Sequence, residues 1–145
     1  MNYKQIEVGL DNVVAMEDFL KKYLEIFNRI EAIGDMFRRG EVDNPIETDR
    51  VMKELAGLQA NLNLVAVIAD TVKQQQEAKL FLERKMELKD LGEKVITTQI
   101  EKEIAGDVHL YRRFRNIFQA YRDTCGRLIS VCQSSLRNLN KEFTT

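Results

Sequence analysis

The sequence predicts an all-α protein, an elongated antiparallel bundle of three long helices with a short fourth, packed in the manner of a coiled coil. Three observations carry that expectation. Apolar residues recur at alternating three- and four-residue steps over long stretches. One proline interrupts 145 residues. No stretch alternates with period two, as a half-buried strand would. Charged residues make up 31% of the chain, above the roughly 25% usual for globular domains, and helix formers such as Leu, Glu, Lys and Ala dominate.

The first helix is expected over 3–39. Asn2 and Gln5 have the spacing of an N-terminal capping box. The stripe Val13, Met16, Leu20, Tyr23, Phe27, Ile30, Gly34 and Phe37 comes next, in heptad register. Arg38 and Arg39 suit the negative end of the helix dipole, and Gly40 can take the left-handed cap.

The second helix is expected over 45–91, with Asn44 as cap, Pro45 at the first helical position and Glu47 completing the box. Its seam is Val51, Leu55, Leu58, Leu62, Val65, Ala69 and Val72. Leu64, Val67 and Ile68 lie off that seam and make the helix apolar on nearly every side, so it needs cover from more than one neighbour. These three residues are the candidate oligomer interface. Beyond Val72 the stretch 73–90 turns polar, and the heptad phase is lost at Gln76 and Lys79. A helix of about 70 Å beside two of about 54 Å, at 1.5 Å per residue, should overhang as an arm.

Gly92 should end the second helix. Thr98 and Glu101 mark a short helix over 98–105, and Gly106-Asp107 reads as a stop and restart. The last helix, 108–143, carries Tyr111, Phe114, Phe118, Tyr121, Cys125, Leu128 and Cys132, then Leu136, Leu139 and Phe143. All of this fits a single domain, 1–145.

Several function classes have no support in the residues. The N-terminus lacks the basic-then-apolar order of a signal peptide. The most apolar run, 62–72, contains Asn63 and Asp70 and falls short of the roughly 20 residues of a membrane span. A cytoplasmic protein without a membrane partner is expected. Cys125 and Cys132 lie seven residues apart, about 10.5 Å of helix rise, too far for a disulfide within one helix. Two cysteines are too few for zinc. They read as small apolar core residues, with a bridge between identical helices as the other reading. His109 is the one histidine, and no Glu-x-x-His pair, phosphate loop or nucleophile elbow accompanies it. No enzyme, metal or cofactor is expected.

Charge is unevenly spread. The chain carries a net −1, but 109–145 holds seven basic residues against two acidic, while 1–49 holds six against eleven. Two readings compete. The basic last helix can pack on the acidic first one, with Arg115 and Arg122 facing Glu17 and Glu31 across the seam. Alternatively, Arg112 and Arg113 contact nucleic acid through its phosphates. The expected function is a non-catalytic helical interaction protein, an oligomeric adaptor, assembly factor or inhibitor, binding itself or another protein. Nucleic-acid binding by the last helix is the alternative.

Overall fold

A computed structural model of the chain describes residues 3–144, with Tyr3, Glu7 and 142–144 described by their backbone alone. Asn2 of the N-terminal capping pair lies outside the described residues, as do the side chains of Tyr3 and Phe143. The described residues form four helices and no strand: α1 (Tyr3–Gly9), α2 (Val13–Arg38), α3 (Pro45–Asp90) and α4 (Thr97–Thr144).

The expected first helix is two. Asn12 is extended and its side chain accepts the Ala15 N–H at 2.9 Å, capping α2 and ending continuity with α1. The break lets α1 fold back on α2 and α3, where Ile6 and Leu10 are buried. Gly9 permits the fold-back, because a Cβ there would sit 2.4 Å from the Phe19 ring. The α2–α3 connection is as expected. Gly40 adopts φ +69° and the Glu41 N–H reaches the Met36 carbonyl at 3.0 Å, closing a Schellman motif. Asn44 then accepts the Glu47 N–H at 2.8 Å, with Pro45 opening α3. The Glu47 carboxylate turns to Arg50.

At the far end Gly92, φ +68°, closes α3 in the same way. Gly106, by contrast, does not break its helix: the expected helices 98–105 and 108–143 are one helix of 48 residues. A glycine inside a helix costs on the order of 1 kcal/mol relative to alanine. Burial of Ile104 and Val108 on either side offsets that cost. Apart from its chain neighbours and its own helix backbone, nothing lies within 4 Å of where a Gly106 side chain would begin, and its φ is not positive. Gly106→Ala should therefore raise stability by about 0.5–1 kcal/mol, measured by urea denaturation. A loss of stability would show that the site needs the glycine.

Cross-helix pairs fix the topology. Arg84 meets Glu103, Arg112 meets Glu77 and Arg115 meets Asp70, so α3 and α4 run antiparallel along their lengths. Arg29 forks onto Glu54 at 2.6 and 2.9 Å, and the Tyr23 hydroxyl donates to Asn61, so α2 is antiparallel to α3. Phe19 packs on Phe114, and Phe27 stacks on Tyr121, so α2 and α4 run the same way.

Because α2 has 26 residues against 46 and 48 for α3 and α4, the bundle divides in two. In the three-helix body, rings of Phe19, Tyr23, Phe27, Phe114 and Phe118 cluster with centroids about 5–6 Å apart. The α3 seam largely follows its spacing, with Val51, Leu55, Leu62, Val65, Ala69 and Val72 buried and Leu58 half-buried against the same core. In α2 the buried set includes Phe19 and Ile33 where the heptad pattern places Leu20 and Gly34. A helix facing two neighbours buries a band wider than one seam. Beyond Val72 a two-helix arm has its own small core of Leu88, Ile100, Ile104 and Val108. The predicted overhang is thus a helical hairpin, since α4 extends with α3.

Candidate interaction surfaces

The expected oligomer residues part company. Leu64 and Val67 are exposed, at 44% and 54%. Ile68 is buried at 2% in the cluster that also holds Ile6 of α1 and Leu10 just after it, and is a core residue rather than a surface one. One helical step of 100° separates Val67 from Ile68, and that step crosses from solvent into the body.

Leu64 and Val67 belong to a longer feature that the heptad reading missed. At three- and four-residue steps along α3, Gly57, Ala60, Leu64, Val67 and Thr71 share one face on the body. Gln75, Ala78, Leu82 and Met86 continue it along the arm. None is charged, and Thr71, half-buried, is the one of the nine that is not exposed; Leu82 and Met86 are each 57% accessible. Lys79 lies at its margin, and Lys85, half-buried, falls five full turns beyond Val67 on the same line of the helix. The Thr71 hydroxyl donates to the Val67 carbonyl at 3.1 Å, leaving its methyl as the group without a polar demand. The stripe extends about 44 Å at 1.5 Å per residue. Its signal in the sequence was present, as a second 3–4 pattern on the opposite side of the same helix, but the Val51–Val72 seam masked it.

The arginines of α4 point chiefly at α3. Arg115 donates to Asp70 at 3.0 Å, and Arg122 reaches Asn63 at 3.4 Å and Asp123 at 3.1 Å. Their expected partners Glu17 and Glu31 are not used. The physical reason is topological: in an up-down-up bundle the first and third long helices are parallel, so the flanks argued from an antiparallel pair do not meet. Glu31 accepts instead from the Tyr121 hydroxyl at 2.7 Å, which together with burial pushes that phenol above its ordinary range.

The candidate nucleic-acid residues also separate. Arg112 donates to Glu77 at 2.9 Å, and Lys73 holds the same carboxylate at 3.0 Å. Those hydrogen bonds, Lys73 first, draw the Glu77 carboxyl below the usual range against the opposing effect of burial. This polar belt lies between the body core and the arm core. Arg113 sits on the other side of α4, on the rim of a groove of about 250 Å3 between α2 and α4, with Glu17 also on its lining. The two adjacent arginines therefore lie on different flanks of α4. His109 is exposed.

Cys125 and Cys132 are fully buried and free, and burial pushes the Cys125 thiol up to about 11. A bridge between copies through either would require unfolding, so both are core residues. Among the described residues no three His, Cys, Asp or Glu side chains converge. A trough of about 700 Å3 between α1 and α2 is lined by Lys4, Lys22, Val8 and Phe19 and is open to solvent. In α3 an 18-residue stretch with mean hydropathy 1.4 is long and apolar enough to cross a membrane by length and composition, and the buried seam supplies part of that apolarity.

No family model matches the chain, and comparison with curated proteins and with solved structures finds no match.

Proposed function

We infer that the protein is a non-catalytic interaction module whose binding surface is the uncharged outer stripe of α3. The observation that carries this reading is the run of nine uncharged positions from Gly57 to Met86 facing away from both cores. An apolar stripe of that length on a helix is the surface to which another helix docks, by burial of Leu64, Val67, Leu82 and Met86. Binding of nucleic acid through Arg112 and Arg113 draws less support, because Arg112 is already bonded to Glu77.

The reading is tested by placing a photo-reactive amino acid at Leu64 or Leu82 in the cell that makes the protein. Protein adducts are expected from both positions and not from Lys102, an exposed residue of α4. Equal labelling from Lys102, or capture of lipid alone, would overturn it.

A further inference from the structure

We propose that the occupant of the α3 stripe is a second copy of this chain, packed antiparallel about a two-fold axis beside Thr71. The proposal rests on reading the stripe as a binding surface and adds what covers it. The stripe is complementary to its own reverse. With Thr71 facing Thr71, positions whose numbers sum to about 142 meet, so Ala60 lies opposite Leu82 and Leu64 opposite Ala78. Gly57 lies opposite Met86 and Val67 opposite Gln75. At three of these four pairs a large side chain faces a small one, the alternation that lets two helices interdigitate, while Val67 and Gln75 beside the axis do not follow it. A two-fold contact uses one patch twice and must be self-complementary in this way. In a parallel pair Leu64 would abut Leu64, and Gly57 would face Gly57 across a void.

Charge does not choose the direction. Each end of the stripe carries an acid and a base, Asp49 with Lys53 and Lys89 with Asp90. The antiparallel register sets Lys53 opposite Lys89 of the other copy and a parallel one sets Lys53 beside Lys53, with Asp49 and Asp90 beside the lysines in either case. Thr71 can lie on the axis because its hydroxyl is already bonded within its own helix. The axis also falls where the body ends and the arm begins, so the two-helix arm of each copy lies along the three-helix body of the other. That contact gives the arm a third layer.

A seam about 44 Å long and about 10 Å wide covers roughly 440 Å2 per copy, about 880 Å2 in all and below the roughly 1,000 Å2 of a stable interface, in the range of weak, transient contacts. The dimer should accordingly be reversible, and present at about 100 μM in light scattering after size exclusion. Single surface cysteines determine its direction, since Cys125 and Cys132 are buried and do not compete. Thr71→Cys alone should form a disulfide dimer. Ala60→Cys and Leu82→Cys should cross-link when mixed and little when separate. Ala60→Leu should weaken the dimer about tenfold, and adding Leu82→Ala to the same chain should restore it, as expected of facing large and small positions. Self-linking of Ala60→Cys would overturn the antiparallel geometry. A wild-type monomer at that concentration, without disulfides, would overturn the second copy as occupant. Photo-adducts of Leu82 with a different protein would then still support the surface itself, so the two failures are distinguishable.

Discussion

Phe118→Ala is expected to cost about 3–5 kcal/mol of unfolding free energy, the range for deleting a buried phenyl ring. Phe118 is fully buried, and four rings surround it: Phe114 at 4.9 Å, Tyr23 at 5.0 Å, Phe27 at 5.4 Å and Phe19 at 5.9 Å. These neighbours come from two helices, so collapse into the vacancy would require both α2 and α4 to move. Tilted and edge-on pairs of this kind add about 0.5–1.5 kcal/mol beyond area. At roughly 3 °C per kcal/mol for a chain of this size, melting should fall by about 10 °C or more. Leu110→Ala is the control, since Leu110 is 40% exposed and should change stability by less than about 1 kcal/mol. A loss at Phe118 as small as that at Leu110 would mean that the aromatic cluster does not hold the body together.

That cluster shows how much of the fold was legible beforehand. Phe114, Phe118 and Cys125 were placed in the core by spacing alone, as were Tyr23, Phe27 and Ile30, because a 3–4 repeat allows one inward face. Asn44, Pro45 and Gly40 marked their helix ends because each has a specific backbone role there. Gly106 misled for the converse reason. Glycine inside a helix is a small local cost, and the steps from Ile100 to Ile104, Val108 and Tyr111 outweigh it. Those steps lie in the sequence and continue the seam straight through the glycine. The break at Asn12 was hidden by the opposite balance, since Ile6, Leu10 and Val13 keep helical spacing while Asn12 supplies a cap.

The interaction surface was harder to read for a related reason. Periodicity reports that residues share a face but does not say which neighbour covers it. Around 62–72 the helix is apolar in almost every direction, and only packing separates the directions. α2 and α4 take the seam, α1 and the turn after it add Ile6 and Leu10 to the same core as Ile68, and the Leu64–Leu82 face is left open. The charge asymmetry was equally real and equally ambiguous. Acidic residues of α3, Asp70 and Glu77, receive the arginines of α4, although the segment holding them is nearly neutral as a whole. Net charge by segment does not select partners when a hairpin brings two neighbours together first.

Ile68→Glu and Leu64→Glu, four residues apart on one helix, should fail in opposite ways. Ile68 is 2% exposed, so a glutamate there must bury a carboxylate, take up a proton or force the helices apart. No described ion pair lies at that position to receive the charge. A loss above about 4 kcal/mol is expected, enough to leave much of a marginal domain unfolded. Leu64, at 44% exposure, can keep a glutamate in water, and stability of the monomer should stay within about 0.5 kcal/mol of the parent. Its effect should appear in association, where a carboxylate set against Ala78 of an opposing helix is desolvated. The dimer should weaken by tenfold or more, whereas Lys102→Glu should leave it intact. Thermal melting and light scattering on the same samples separate the outcomes. Should Leu64→Glu unfold the chain as Ile68→Glu does, the outer stripe is internal core. If it changes neither melting nor mass while the parent is dimeric, the contact lies on another face.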